Sequence, residues 1–176
     1  MKDKILATLV LCFASGYVMA GENMGDVQFL GVVSDETCNI QPDVGGATTS
    51  LVRLGSVKTS TTAGGDGSNE GTPVAFSLKP TAACAETMSS AVFGFSSSSL
   101  NSLGVGNSSG TATDANMILT AINATGGPVE IKQGSTTVEV PITDLNTTGA
   151  EFTAQLMGGT IAGEYNSTVV YTVYYN

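Results

Sequence analysis

The chain has 176 residues, which is enough for one domain with a processed segment. Lys and Arg total 6 against 15 Asp and Glu, so the net charge of −9 excludes a basic nucleic-acid-binding surface. The sequence contains no His, which excludes Ser-His-Asp and Cys-His catalysis and histidine metal sites.

Residues 1–20 have the three parts of a secretory signal peptide. Lys2 and Lys4 precede an apolar run at residues 5–14, and the small-residue site Val18-Met19-Ala20 follows. The apolar run is shorter than the roughly 20 residues that a membrane-spanning helix needs. We therefore expect cleavage after Ala20 and export of the rest of the chain, with a buried N-terminal helix as the alternative interpretation.

Nine later segments are rich in β-branched and aromatic residues and are separated by turn residues, a pattern that predicts β-strands. They are residues 26–34, 51–57, 73–78, 91–95, 116–122, 129–132, 137–142, 152–156 and 167–175. Gln133-Gly134-Ser135 predicts a hairpin between the sixth and seventh strands. Residues 59–71 and 96–115 have the composition of long polar loops. The sequence predicts one all-β domain, most simply a β-sandwich, with a closed barrel as the alternative.

The exported part of the chain contains two cysteines, Cys38 and Cys84, because Cys12 lies in the signal peptide. Cysteines of exported proteins usually pair, so these two predict one disulfide, and two free buried thiols are the alternative. Asp66, Asn69 and Glu70 do not have the spacing of a calcium loop. We predict no catalytic residue, no metal site and no cofactor, and therefore no enzyme.

The last predicted strand lacks the features that normally protect the edge of a sheet. Residues 168–176 contain no charge, no Pro and no Gly, so an exposed edge here would be a strong template for pairing with another chain. Either both ends of the chain are buried in one sandwich, or the terminal strand pairs with a strand of another chain. Its alternating residues on one face are Val169, Tyr171, Val173 and Tyr175.

With these features, the sequence resembles subunits of bacterial chaperone–usher fimbriae of the type 1 pilin-like kind. The segment from Gly25 to Gly31 is similar to the start of that family, and residues 32–40 are similar to its first-cysteine segment. Gly163 is the fourteenth residue from the end and Tyr175 the penultimate one, as in the terminal motif of the family. The resemblance is nearest to the major subunits of enterotoxigenic animal-type fimbriae.

The resemblance implies an immunoglobulin-like sandwich that lacks its last strand, formed by residues 34–176. It implies that a groove beside the C-terminal strand is filled first by a periplasmic chaperone and then by residues 21–33 of the next subunit. In that extension Gly25, Val27 and Phe29 share one face and are the candidate donor-strand residues. Gly163 and the alternating residues of the terminal strand are the candidate groove residues.

These observations favour a structural subunit that polymerises into a surface fimbria by donor-strand exchange and supports adhesion to host cells. The expected partners are identical or related pilin subunits, the chaperone and an outer-membrane usher. The expected location is the periplasm and then the extracellular fimbria. The alternative is an adhesin subunit that binds a host glycan or receptor directly through the two long polar loops. A secreted hydrolase is disfavoured because no nucleophile has a visible base.

Overall fold

The computed structural model describes residues 38–64 and 69–176 of the chain. The described part contains eleven strands and one short helix. The strands are β1 (Ile40–Val44), β2 (Ala47–Thr48), β3 (Val74–Pro80), β4 (Ser90–Ser96), β5 (Leu100–Asn101), β6 (Gly104–Gly106), β7 (Asn116–Ala121), β8 (Val129–Ile131), β9 (Thr137–Pro141), β10 (Ala150–Met157) and β11 (Val170–Tyr175). The helix is α1 (Ile142–Thr147).

The described strands form two antiparallel sheets, and the fold is an immunoglobulin-like sandwich rather than a closed barrel. The large sheet has the order β2-β1-β3-β10-β7-β6-β5, and β8 also pairs with β7. The small sheet has the order β11-β4-β9. Because the small sheet has three described strands against eight, it covers only part of the inner face of the large sheet.

An aromatic cluster joins the two sheets at the centre of the core. Phe152 of β10 is 1% exposed, and its ring stacks on that of Phe76 with the centroids 5.3 Å apart. Its other neighbours are Phe95 and Phe93 of β4, which meet it edge-on at 5.4 Å and 6.3 Å. Each such pair contributes about 0.5–1.5 kcal/mol beyond the burial of its area, so Phe152 is a principal link between the layers.

Most of the predicted strands are present within a few residues of their expected bounds. The predicted segments from 73–78 onward correspond to β3, β4, β7, β8, β9, β10 and β11. The predicted strand at 26–34 lies outside the described residues. Besides β5 and β6, two elements were not predicted: the β1–β2 hairpin, which turns at Gly45 and Gly46 with φ of 61° and 87°, and α1, which is too short to show a helical period.

Three expectations from the sequence need correction. The tight turn is present and is closed by one antiparallel bridge between Lys132 and Ser135, but β8 and β9 do not pair with each other, because β8 pairs with β7 in the large sheet and β9 with β4 in the small sheet. The turn at Gly134 therefore carries the chain from one sheet to the other. Residues 96–115 are not one long loop, because they contain β5 and β6. Residues 51–57 do not form a strand.

Candidate functional site

An apolar groove with a volume of about 1030 Å³ lies beside β11. Its floor is the inner face of the large sheet, formed by side chains of β3, β7 and β10. These floor residues are Phe76, Leu78, Met117, Leu119, Ala154 and Leu156. One rim is the segment 50–59, and the other rim is the segment 158–167 together with Val169 and Tyr171. The two rims converge where the Ser60 backbone nitrogen donates to the Gly159 carbonyl oxygen at 2.8 Å.

The groove exists because the small sheet ends at β11. That strand pairs antiparallel with β4 from Val170 opposite Ser96 to Tyr175 opposite Ala91. No other described strand pairs with it. In a complete sandwich each sheet buries the inner face of the other. One further strand beside β11 would therefore cover the floor of the groove and occupy the second edge of β11.

The terminal strand presents one face to the core and the other to the surface. The side chains of Val169, Tyr171, Val173 and Tyr175 are half-buried and pack against the core. Val170, on the other face, is 56% exposed. This alternation is the period of two expected of a strand, and it places four of the five candidate groove residues on one face.

Two tyrosine hydroxyl groups tie β11 to the beginning of the large sheet. The Tyr171 hydroxyl donates to the carbonyl oxygen of Ile40 at 3.2 Å, and the Tyr175 hydroxyl donates to that of Cys38 at 2.8 Å. Burial raises the pKa of both phenols above their usual value. Both groups therefore stay protonated at neutral pH and act as donors.

The rim at residues 50–59 is an extended segment that belongs to no ladder among the described strands. Its half-buried side chains, Val52, Leu54 and Val57, are separated by exposed residues. The alternation shifts by one residue at Gly55, which has a φ of +75° that favours glycine. The segment thus has the side-chain pattern of a strand without the hydrogen-bonding neighbour, which explains why the strand predicted at 51–57 is absent.

Gly163 lies on the rim at 158–167, outside any strand. A Cβ atom at this position would lie 2.6 Å from the amide nitrogen of Ala112 and 2.8 Å from the carbonyl carbon of Thr111. These contacts are with backbone, which cannot move aside as a flexible side chain can. The residue is therefore glycine because two backbone segments approach each other closely here.

The Asp114 carboxylate holds the same rim. It accepts hydrogen bonds from the backbone nitrogen of Thr160 at 2.7 Å, from the Thr160 hydroxyl, and from the backbone nitrogen of Ile161 at 3.1 Å. The hydrogen bond from the Thr160 hydroxyl is the largest cause of a lowered pKa at Asp114. The sequence did not indicate a role for Asp114, because a single Asp in a polar loop belongs to no recognisable pattern.

The disulfide between Cys38 and Cys84 is present, with Cα atoms 5.4 Å apart. Asn146 of α1 stabilises the chain around it. Its side-chain oxygen accepts from the Cys84 backbone nitrogen at 2.8 Å, and its side-chain nitrogen donates to the Cys84 carbonyl oxygen at 3.1 Å. The bond closes a loop that contains β1, the rim at 50–59 and β3, so it fixes one side of the groove relative to its floor.

Of the predicted groove residues, Gly163, Val169 and Tyr171 line the groove, whereas Val173 and Tyr175 lie farther along the same face of β11 and pack against the core. Gly25, Val27 and Phe29, the predicted donor-strand residues, lie outside the described residues. The sequence did not identify residues 50–59 as part of the site. The sequence of that segment has the alternation of a strand, but no feature of the neighbouring sequence indicated that it would pair with no described strand and form a rim of the groove.

The described residues contain no group of three or more Cys, Asp or Glu side chains placed to hold a metal ion. No described helix is long and apolar enough to span a membrane. The site is therefore characterised by its shape, its apolar surface and an open strand edge, which are features for binding an extended polypeptide.

Comparison with known proteins identifies the family. The chain is 31% identical over 179 residues to the F107 fimbrial protein of Escherichia coli, and the match covers 99% of each protein. It is 30% identical over 189 residues to the K99 fimbrial protein of Escherichia coli, again over 99% of each. No protein-family model matches the chain. With full-length similarity at this level and an all-β sandwich that carries an open groove, the chain belongs to the family of the F107 and K99 fimbrial proteins and is a structural protein of a fimbria.

Proposed function

We propose that the chain polymerises by donor-strand exchange, in which the N-terminal extension of one subunit fills the groove of the next. The observation that carries this proposal is the apolar groove between residues 50–59 and β11. Its floor is apolar, and one wall is a strand whose second edge has no partner among the described strands. An inserted strand would gain main-chain hydrogen bonds along that edge and bury alternate side chains in the groove.

The sequence of residues 21–33 fits this role. Gly25, Val27 and Phe29 share one face of an extended chain, and Leu30 and Val32 continue the apolar character on the other. Gly25 has no side chain, so it could pass a narrow point of the groove. The domain organisation that follows is a signal peptide at 1–20, a donor extension at 21–33 and a sandwich at 34–176.

Export follows from the same proposal. The signal peptide directs the chain to the periplasm, where a chaperone strand occupies the groove until the usher adds the subunit to the fibre at the cell surface. An uncovered groove would expose the floor residues and the edge of β11 to aggregation. A temporary occupant removes that hazard before assembly, and the finished fibre supports adhesion to host cells.

The test is a bulky substitution at the donor position. Gly25→Leu should block fibre formation through overpacking in the groove, while the disulfide-bonded monomer still accumulates with its chaperone. Gln28→Leu adds the same side chain on the other face of the extension and is the matched control, which should assemble. Fibres are counted by electron microscopy of cells that carry each variant. Normal fibres from Gly25→Leu would contradict donor-strand exchange in this register.

A second experiment separates a structural subunit from an adhesin. Cells without this chain should carry no fibres if it is the main structural subunit. Unchanged fibres that no longer bind host cells would instead favour the adhesin alternative.

A further inference from the structure

The positive charges of the chain are distributed unequally around the groove. Lys and Arg total 6, and Lys2 and Lys4 belong to the signal segment, which leaves Arg53, Lys58, Lys79 and Lys132. Lys79 lies 3.4 Å from Asp43, and Lys132 lies 2.8 Å from Glu130. Arg53 and Lys58 form no ion pair with a described residue, and both lie on the same rim of the groove.

These two cations lie on the exposed side of the rim. Along residues 52–58 the half-buried positions are Val52, Leu54 and Val57, whereas Arg53 and Lys58 are exposed. The positive φ of Gly55 places two successive residues, Gly55 and Ser56, on the exposed side. The shift of alternation at Gly55 therefore puts Arg53 and Lys58, which are five residues apart, on the same exposed side of the segment.

The proposed donor extension carries two charges of the opposite sign at a similar spacing. Residues 21–33 contain two acidic residues, Glu22 and Asp26, and no basic residue. If Gly25, Val27 and Phe29 face the groove, then Glu22 and Asp26 face outward. They are four residues apart, which is about 13 Å in a strand. Both sets of charges would thus lie on the outer side of the assembled pair of strands.

We propose that Arg53 and Lys58 of one subunit pair with Glu22 and Asp26 of the next, and that this ladder of two ion pairs sets the register and the identity of the incoming strand. The inference rests on the proposed donor-strand function. It assigns an electrostatic recognition site to the rim at 50–59, next to an apolar groove that by itself accepts many alternating sequences.

The acidic residue among the groove-lining side chains supports the assignment of the recognition site to the rim at 50–59. Among the described residues that line the groove, Glu164 is the only acidic one, and it belongs to the rim at 158–167 and not to the rim that carries Arg53 and Lys58. A donor strand with two outward carboxylates is therefore attracted to one rim and repelled by the other. A slip of one residue would move both carboxylates to the groove face, away from the cations.

We expect the ion pairs to affect which donor strand is selected more than they affect the stability of the assembled fibre. Exposed ion pairs contribute little individually, but like charges placed opposite each other disfavour a wrong partner and slow its encounter. Reversing the charges on one side should therefore lower assembly, and reversing both sides should restore it.

The experiment uses four full-length chains expressed in place of the natural one. They are the wild type, the rim variant Arg53→Glu/Lys58→Glu, the extension variant Glu22→Lys/Asp26→Lys, and the chain with all four changes. Fibre mass per cell should fall about tenfold in each two-residue variant, as expected for two exposed pairs reversed in sign, and should return toward wild type in the combined chain. Lys132→Glu gives a charge change of the same sign as the rim variant at a position that does not line the groove, and it should assemble normally.

The amount of disulfide-bonded monomer in the periplasm is measured in each strain, so that a folding defect is recognised. Equal fibre mass in all four strains would overturn the proposal, and so would a combined chain that assembles no better than the two-residue variants. The Gly25→Leu strain separates a failure of donor-strand exchange from a failure of the ion-pair ladder. If Gly25→Leu blocks assembly while the charge variants have no effect, donor-strand exchange stands and the ion-pair ladder fails. If Gly25→Leu assembles normally, donor-strand exchange in this register fails, and the ion-pair ladder that depends on it fails too.

Discussion

The hydroxyl group of Tyr175 donates a hydrogen bond of 2.8 Å to the carbonyl oxygen of Cys38. This bond joins the penultimate residue of the chain to a residue of the disulfide, so the open-edged terminal strand is anchored directly beside the covalent cross-link. The anchor lies at the end of β11, and Ser89 reinforces it through its backbone nitrogen, which donates to the Asn176 carbonyl oxygen at 2.7 Å. Together these contacts hold one wall of the groove in place.

The first prediction separates the ring of Tyr175 from its hydroxyl group. Tyr175→Phe removes one hydrogen bond and should cost about 1 kcal/mol of unfolding free energy. Tyr175→Ser also removes the half-buried ring and should cost about 2–4 kcal/mol, enough to cause degradation in the periplasm. The measurement is the yield of chaperone-bound monomer and of fibres. Equal yields from wild type and Tyr175→Ser would contradict the anchoring role.

The second prediction concerns the disulfide. Because the bond joins residues 46 positions apart, its loss through Cys38→Ser/Cys84→Ser should remove about 4 kcal/mol in the chain-entropy treatment. The double variant should therefore accumulate poorly. Alkylation of the purified wild type under denaturing, non-reducing conditions checks the bond itself. Labelling of both cysteines would show that they are free.

The third prediction tests the close approach at Gly163. Gly163→Ala should destabilise the fold by about 1–3 kcal/mol, because the new methyl group meets the backbone of Thr111 and Ala112. Gly94→Ala is the matched control, since its new methyl group meets only the Thr172 hydroxyl oxygen at 3.0 Å, and that side chain can rotate. Thermal unfolding of the chaperone-bound subunits compares the two. A Gly163→Ala protein as stable as Gly94→Ala would refute the packing explanation.

The fourth prediction follows from the lowered pKa of Asp114, whose ordinary value is 3.8. A carboxylate with a lowered folded-state pKa adds stability that is fully present above the unfolded value and is lost as the pH falls through the folded one. The rim at Thr160 and Ile161 should thus loosen only below about pH 4. Hydrogen exchange at these two amides, corrected for the intrinsic rate, measures the loosening.

Asp114→Asn is the matched variant for that experiment. It should show faster exchange at neutral pH and no further loosening between pH 5 and pH 2, because it has no charge to lose. A wild type and an Asp114→Asn protein with the same pH profile would mean that the carboxylate does not hold the rim.

Local patterns in the sequence determined the fold class and most of the strands. The period of two in β11 correctly placed Val169, Tyr171, Val173 and Tyr175 on one face, because side-chain alternation is a property of any extended chain. The absence of His excluded histidine-dependent catalysis and histidine metal sites. Two cysteines after a signal-peptide pattern indicated the disulfide. These inferences depend only on residues close together in sequence or on composition.

The pairing of strands was decided by the tertiary structure alone. The turn at Gly134 is closed by one bridge between Lys132 and Ser135, as in a hairpin, yet β8 pairs with β7 and β9 pairs with β4 in the other sheet. Residues 51–57 have the alternation of a strand but no described neighbour, and they become the rim of the groove instead. A strand forms only when another edge lies within hydrogen-bonding distance, and the sequence of a segment does not specify which edge arrives there.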